Sequence, residues 1–321
     1  MSEPEPSQHE VPAPLLASEL SGRLPCVRCQ YDLQGVSVLG VCPECGTPVR
    51  TTILAVVDPL ADELQPIRAP RLTALGLCLW VMAALAAALL MWALLLPAVL
   101  ALWIDRPPAP VSPILPSVIT ALLGLSAIGS VALWRPQPAL DRSTKLSSFF
   151  ATVTFAPLIF TVHDLLTRTR ELKVRSIAEA WPRSAIEAVE RPLAVLFLLM
   201  IILLARPVLR LLVARSLAIR TGRVDRQTVV AMAAALLTVL LGELLGRLAT
   251  LDPASALGDF LFHLGFVMIV GGLALFTLGL LGASIDALRV AQAILTPAPS
   301  LNQVLGTDPS STLANTKDHS A

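Results

Sequence analysis

Charged and aromatic residues are scarce in this chain. Of its 321 residues, 15% are charged and 5% are aromatic, with a single tyrosine. Soluble globular proteins carry about a quarter charged residues, so this composition excludes an ordinary soluble domain. The hydrophobic share of 55% and the mean hydropathy of +0.73 instead predict a multi-pass membrane protein in a lipid bilayer. A net charge of +1 excludes a strong overall field toward nucleic acid.

The chain also lacks a recognisable cleavable signal peptide. Residues 1–22 are acidic and rich in proline, where a signal peptide is basic and then apolar. Residues 294–321 are similarly polar, and both segments are predicted to be disordered tails because they cannot bury a core. We expect an integral protein of the bacterial inner (cytoplasmic) membrane with its N- and C-termini in the cytoplasm.

Long apolar runs predict the fold class, an all-α membrane bundle. A spanning helix needs about 20 apolar residues. Six segments qualify, at about 72–104, 113–134, 146–166, 192–214, 227–250 and 257–284. Four spans are the alternative, in which the third and fourth segments form a re-entrant or interfacial hairpin on the cytoplasmic side, because the connection between them is basic. Together the segments form a transmembrane helical domain over residues 72–293.

The stretch 206–226 is basic and amphipathic. It carries six arginines among aliphatic residues. Anionic lipid headgroups would attract such a stretch by about 1 kcal/mol for each charge near the surface. The alternative interpretation is that these arginines serve only as a topology determinant.

Four of the five cysteines form two Cys-x-x-Cys pairs near the N-terminus, Cys26 with Cys29 and Cys42 with Cys45. Two such pairs can wrap one tetrahedral metal ion, and four thiolates leave no open coordination position for a water molecule. We therefore predict one structural Zn²⁺ bound by these four residues. A redox dithiol is the competing interpretation, but it needs one reactive pair rather than two matched pairs. The fifth cysteine, Cys78, lies in an apolar segment and is interpreted as a small hydrophobic residue.

The sequence around these pairs resembles a known type of module. Leu24-Pro-Cys-Val-Arg-Cys-Gln-Tyr-Asp-Leu-Gln-Gly35, followed by Cys42-Pro-Glu-Cys-Gly46, is similar to the short N-terminal zinc ribbon of many bacterial multi-pass membrane proteins of unknown function. The resemblance implies a zinc ribbon over residues 23–50 on the cytoplasmic face, joined by a linker at 51–71 to the membrane domain. It implies no activity.

Local charge favours a protein partner for this module. Residues 23–50 hold three arginines and two acidic residues, and a zinc ion with four thiolates adds about two negative charges. Nucleic-acid binding needs several clustered basic residues, so DNA or RNA is disfavoured. Protein contact or a purely architectural role is the expected alternative.

Ionisable residues are also present inside the apolar segments. Under the predicted topology they fall in the outer leaflet, where charge usually faces protein or water. They are His163, Asp164, Glu243, Arg247, Asp259 and His263. One hypothesis is an outward-facing polar pocket, and the other is internal pairing of Glu243 with Arg247 and of Asp259 with His263, since each pair is spaced i,i+4. Gly242 and Gly246 form a Gly-x-x-x-Gly face for close helix packing.

The sequence offers no catalytic constellation. It has no Ser-His-Asp grouping, no phosphate-binding loop and no His-Glu-x-x-His. We therefore expect a non-catalytic membrane protein whose zinc ribbon is a docking or assembly module. The alternative is a transporter or a proton- or ion-coupled protein that uses the outer-leaflet polar residues, and an enzyme ranks third.

Overall fold

The described chain is almost entirely helical. The computed structural model describes residues 19–20, 22–57, 67–104, 112, 114–134, 140–169, 185–219, 228–252 and 255–296. Within them lie eight helices: α1 Val49–Val57, α2 Pro70–Ile104, α3 Leu115–Val131, α4 Arg142–Val153, α5 Phe155–Thr169, α6 Ala185–Ile219, α7 Thr228–Ala249 and α8 Ala256–Leu295. The described residues contain no strand, only isolated bridges. The predicted tails at 1–22 and 294–321 lie almost wholly outside this part of the chain.

Two compact units make up the protein. One is built on residues 19–57 and is called the four-cysteine module below, and the other, the helical unit, is built on residues 67–217 and 228–296. Helix α1 belongs to the first unit and occupies residues for which the sequence predicted a linker.

The four-cysteine module folds around a very small core. Cys26, Leu33, Cys42 and Val49 are buried together, and half-buried aliphatic side chains such as Leu24 pack against them. Isolated antiparallel bridges link Glu19 with Ser37, Pro25 with Asp32, and Val41 with Pro48. A core of this size cannot hold a fold by hydrophobic burial alone, so the module needs a further stabilising element.

Five helical stretches of the helical unit are long and apolar enough to cross a membrane, and one of them consists of α4 and α5 together. The candidate spans are Pro70–Leu96, Arg142–Arg168, Val189–Ala214, Val229–Ala249 and Ala256–Leu295. This finding confirms, among the described residues, the prediction of an integral membrane protein with several apolar helices. The segment predicted at 113–134 forms the shorter helix α3 of 17 residues. The choice between six and four spans therefore stays a prediction.

Two pairs of neighbouring helices in the unit, α2 with α3 and α7 with α8, run antiparallel. Gly76 near the start of α2 contacts Gly129 near the end of α3 so closely that a Cβ atom on Gly76 would lie 2.8 Å from the Gly129 carbonyl oxygen. Gly242 late in α7 meets Gly265 early in α8 in the same manner, with 2.7 Å between a built Cβ and the opposing carbonyl oxygen. Small residues thus allow the helix backbones to touch, as expected for packing within a bilayer.

Proline interrupts the hydrogen bonding of the third candidate segment. Helix α4 ends at Val153 and α5 begins at Phe155, so the span Arg142–Arg168 is broken near its middle. Pro157 has no N–H to donate to the carbonyl four residues earlier, at Val153, which accounts for the break. The hydroxyl of Thr154 donates to the Phe150 carbonyl at 2.7 Å, and such local bonds keep the backbone satisfied where water is absent.

Helix α6 is longer than the fourth predicted segment, 192–214. It contains Pro192 and Pro207 within its 35 residues, and it extends beyond the predicted segment at both ends. The hydroxyl of Ser147 on α4 donates to the Leu204 carbonyl at 2.5 Å, next to the carbonyl that Pro207 leaves without its helical donor. Helix α8 likewise continues past 284 to Leu295, because Ala287, Val290 and Ile294 pack into the core on one face.

Candidate functional site

The two Cys-x-x-Cys turns of the four-cysteine module share one backbone geometry. In the first, the N–H of Gln30 donates to the Cys26 carbonyl at 2.8 Å, and in the second the N–H of Gly46 donates to the Cys42 carbonyl at 2.9 Å. Both donors have a positive φ, 63° for Gln30 and 70° for Gly46. A residue with a side chain rarely adopts this conformation, so its presence at Gln30 shows how strongly the turn constrains the backbone. Two equivalent turns can therefore present two pairs of sulfurs to one point.

The four sulfur atoms lie close together. The Sγ atoms of Cys26 and Cys45 are 3.6 Å apart, and those of Cys29 and Cys42 are 3.5 Å apart. All four fall within 4.8 Å of one another. Four sulfurs at a zinc–sulfur distance of about 2.3 Å around a tetrahedral ion stand about 3.8 Å apart. The donor set therefore fits a single metal ion, and the predicted grouping of these four cysteines is confirmed.

Sulfur neighbours cross from one turn to the other. The short contacts join Cys26 to Cys45 and Cys29 to Cys42, and all four are free thiols in the structure. A redox dithiol needs two sulfurs that can close to about 2 Å within one reactive pair. The four sulfurs are grouped around one shared centre, as a metal site requires.

The protonation of the four thiols is uneven. Burial and hydrogen bonds with the neighbouring thiols raise the pKa of Cys29 to about 12, although a backbone hydrogen bond from Tyr31 opposes them. At Cys45 burial also acts to raise the pKa, but hydrogen bonds from the side chain and backbone of Thr47 and from the other thiols outweigh it and lower the pKa to about 6. The lowered pKa lets the Cys45 thiolate form readily, whereas burial raises the pKa of Cys26 and of Cys29 and opposes their ionisation. A bound dication would stabilise all four thiolates and displace their protons.

A second group of ionisable side chains lies in the helical unit. Asp164 on α5 binds Arg168 at 2.6 Å, and Arg168 is 3.8 Å from Glu190 on α6. The next residue on α6, Arg191, binds Glu243 on α7 at 3.1 Å. These contacts form a chain of opposite charges across three helices, called the charged network below.

Glu243 is the most deeply buried member of this network. Its exposed fraction is 3%, and the charges of Arg191 and Arg247 both act on it. The guanidinium of Arg191 contacts Oε1 of Glu243, whereas Oε2 is buried without a hydrogen-bond partner in the described structure. Nε and Nη2 of Arg247 are likewise buried and unpartnered. Arg247 therefore acts on Glu243 through its charge, as the i,i+4 spacing predicted. The direct ion pair of Glu243 is with Arg191 on α6.

No protein-family model matches this chain, and no curated protein and no solved structure is significantly similar to it. The resemblance of the four-cysteine module to bacterial zinc-ribbon membrane proteins therefore stays a prediction. It rests on the cysteine spacing and on the sulfur geometry described above.

The structure brings together some of the six predicted polar residues and separates others. Asp164, Glu243 and Arg247 belong to the charged network or lie against it. His163 is exposed on α5. Asp259 and His263 form a local pair on α8, 3.4 Å apart, with side chains that are 74% and 58% exposed. Their predicted i,i+4 pairing is therefore seen, at an open surface.

Sequence reasoning missed three members of the network. They are Arg168, Glu190 and Arg191, which fell in or at the edge of the predicted connection 167–191. Helix α6 begins at Ala185 and so places residues 190 and 191 on a helix facing α5 and α7. The signal that could have found this start is the Ser184-x-x-Glu187 capping-box spacing directly at Ala185.

Proposed function

We propose that this protein is a non-catalytic integral membrane protein whose four-cysteine module binds one structural Zn²⁺ and docks a protein partner. The group of four sulfurs carries the proposal, because four thiolates within 4.8 Å fill all the coordination positions of a tetrahedral ion. A filled site has no position for a substrate or an activated water. The metal would therefore supply folding energy rather than chemistry.

Zinc is the metal that this donor set favours. Tetrahedral sulfur ligation is typical of zinc and of iron–sulfur centres. In an iron–sulfur cluster the four thiolates are spread over two or four irons, so they do not all surround one ion. The short Sγ distances of 3.5 and 3.6 Å support a single ion, and zinc has no redox chemistry that would require the site to change.

The surface of the four-cysteine module suits a protein partner better than nucleic acid. Tyr31, Leu39 and Val41 are 40%, 65% and 40% exposed, so a module with few apolar residues leaves several of them uncovered. Arginines 23, 28 and 50 are matched by three acidic residues, Glu19, Asp32 and Glu44, and Arg23 lies 3.8 Å from Asp32. With four thiolates on Zn²⁺ the module is negative overall, which disfavours phosphate binding.

Basic side chains support a cytoplasmic location for the termini. At the end where α2 begins and α6 and α8 end, the described residues include Arg68, Arg71, Arg142, Lys145, Arg206, Arg210 and Arg289. At the opposite end the described basic residues are Arg168, Arg191 and Arg247, which lie among carboxylates. The positive-inside rule places the richer end in the cytoplasm, where thiols also stay reduced. Arg206 and Arg210 lie in the C-terminal part of α6, and we propose that they reach anionic lipid headgroups at the cytoplasmic surface.

Two measurements test the proposal. Elemental analysis of the purified chain should find one zinc per molecule, and Cys42→Ser/Cys45→Ser should remove it, whereas Cys78→Ser should retain it. A partner that copurifies with the chain should be lost both in the double cysteine variant and in Leu39→Ser/Val41→Ser. Recovery of the same partners at the same level from all of these variants would refute docking at the module.

The transporter alternative rests on the charged network. Pairing of Glu243 with Arg191 between α6 and α7 is also what helix orientation requires, so the network does not favour transport over a structural role. The two roles separate on substitution of Glu243. Transport predicts loss of a flux at unchanged stability, and orientation predicts loss of stability.

A further inference from the structure

The two Cys-x-x-Cys turns of the four-cysteine module are alike in their backbone. Tyr31 and Thr47 hold equivalent positions, each two residues after the second cysteine of its turn. The Tyr31 carbonyl accepts the N–H of Cys26 at 2.8 Å, and the Thr47 carbonyl accepts the N–H of Cys42 at 2.7 Å. The backbone N–H of each of these two residues also donates to the sulfur of the second cysteine. The backbone therefore supports the two turns in the same way.

The side chain of Thr47 adds a hydrogen bond that the first turn lacks. Its Oγ1 atom lies 3.2 Å from Sγ of Cys45. The Tyr31 side chain is 40% exposed, and in the described structure it contributes no hydrogen bond to Sγ of Cys29. Cys45 thus has two hydrogen-bond partners on Thr47, the backbone N–H and the hydroxyl, whereas Cys29 has only the backbone N–H of Tyr31 from the equivalent residue.

Metal ligation fixes the direction of this side-chain hydrogen bond. A protonated thiol can donate to a hydroxyl oxygen, but a thiolate can only accept. When Cys45 is a metal-bound thiolate, the hydroxyl of Thr47 therefore donates its hydrogen to the sulfur. A hydrogen bond to an ionised group is shorter and stronger than one between neutral groups. The contact between Thr47 and Cys45 therefore stabilises the metal-bound state more than the metal-free state.

The same contact holds the Cys45 sulfur in place. Cys45 is half-buried, whereas Cys42 is fully buried, so packing alone constrains Cys45 less. Thr47 is well suited to this task, because its backbone is tied to Cys42 and its β-branched side chain has little rotational freedom. We propose that Thr47 is a positioning residue of the metal centre, which orients the Cys45 thiolate, stabilises its charge and so raises the affinity of the four cysteines for Zn²⁺. This role rests on the proposed function, because it requires a metal ion at the four sulfurs.

Removal of the Thr47 hydroxyl tests this role in the purified full chain. Thr47→Val keeps the branched shape and the backbone hydrogen bonds but has no hydroxyl. Loss of a hydrogen-bond partner of a metal ligand weakens metal binding by about 10–100-fold, and we expect zinc to bind Thr47→Val about tenfold more weakly. Competition with a chelator of known zinc affinity measures the change. Thr47→Ser keeps the hydroxyl and should retain the original affinity.

The absorption spectrum of the cobalt(II) form gives a readout that a purely structural role would not change. A hydrogen bond to a thiolate lowers the energy of the sulfur lone pairs, so its loss should move the sulfur-to-cobalt charge-transfer band to longer wavelength. Thr47→Val should show this shift, and Thr47→Ser should not. Thr52→Val is the structural control, because the Thr52 hydroxyl accepts the N–H of Val27 at 3.4 Å. It should destabilise the module without moving the band.

Tyr31→Phe is the matched control, because it removes a hydroxyl at the equivalent position of the first turn. It should leave both the zinc affinity and the charge-transfer band unchanged. If Thr47→Val binds zinc as tightly as the original chain, or loses affinity without a shift of the band, the role of Thr47 is overturned while the metal site stands. An equal loss of affinity in Thr47→Val and Thr47→Ser would also overturn it. If the original chain binds neither zinc nor cobalt, the proposed function fails, and the role of Thr47 fails with it.

Discussion

The four-cysteine module and the helical unit are stabilised by opposite means. In the module a few buried residues surround four sulfurs, and the described bridges are isolated rather than part of a sheet. In the helical unit, long helices approach closely through glycine and are joined by the buried ion pair of Arg191 and Glu243. The comparison leads us to expect that the module depends on a bound metal ion for its stability, whereas the helical unit is held by contacts that its own chain supplies.

Removal of the metal should give the largest effect and should affect only one unit. Structural zinc contributes about 10–16 kcal/mol to modules of this kind. We therefore expect that a strong chelator, or Ser at positions 26, 29, 42 and 45, unfolds residues 19–57 and leaves the helical unit folded. Amide hydrogen exchange, followed separately in the module and in the helical unit, measures which of the two unfolds.

Cys78→Ser is the matched control for metal removal. Its sulfur lies 4.0 Å from the Ala287 carbonyl oxygen inside the helical unit, outside the group of four sulfurs. The variant should retain normal protection in residues 19–57. Full protection of the module without metal would contradict the comparison drawn above.

Loss of the buried carboxylate should give the next largest effect. Glu243→Met removes the partner that Arg191 contacts at 3.1 Å. Breaking a fully buried pair costs about 3–5 kcal/mol, and we expect about 2–3 kcal/mol because the Arg191 side chain is 25% exposed. Equilibrium unfolding in detergent measures the change.

A double variant sharpens the result for Glu243. Arg191→Met/Glu243→Met removes both charges of the ion pair and should recover the part of the loss that comes from leaving Arg191 without its partner. Additive losses in the two single variants and the double variant would show that the pair is not coupled. A lost flux with unchanged stability would support the transporter alternative instead.

A methyl group at the α7–α8 contact should give a smaller loss. Gly242→Ala places a Cβ atom 2.7 Å from the Gly265 carbonyl oxygen, so the helices must separate. Overpacking of this kind costs about 1–3 kcal/mol. Gly271→Ala on α8 is the control, since nothing lies within 4 Å of its Cβ, and it should be neutral or stabilising. Equal melting temperatures for the two variants would show that α7 and α8 are not in close contact.

The smallest expected effect concerns the start of α4. Hydrogen bonds from the side chain and backbone of Ser143 lower the pKa of Asp141, which caps this helix. Because the folded state depresses this pKa, the stabilisation is present above the ordinary aspartate pKa and is lost as pH falls through the folded value. Asp141→Asn keeps a capping oxygen without the charge, so its melting temperature should lack this acid-dependent component. If the melting temperature falls equally with decreasing pH in the original chain and in Asp141→Asn, the assignment to Asp141 is refuted.

Local patterns in the sequence predicted the grouping of the four cysteines and the presence of several long apolar helices. The Cys-x-x-Cys spacing brings each pair onto one tight turn, and a long apolar run indicates a membrane helix whatever its neighbours are. The boundaries were less accurate. Pro192 suggested the start of a helix, but α6 starts at Ala185 because proline is accepted within membrane helices when neighbouring groups satisfy the backbone.

The sequence by itself determined that four cysteines can hold one metal ion and that the rest of the chain is rich in membrane-type helices, because both properties depend on residues close together in the chain. The tertiary structure alone decided that Cys26 neighbours Cys45, that Arg191 pairs with Glu243, and that the donor edge of Arg247 is left free. Each of these features depends on residues that lie on different turns or on different helices. Their choice depends on which faces meet when the helices pack, and no single segment contains that information.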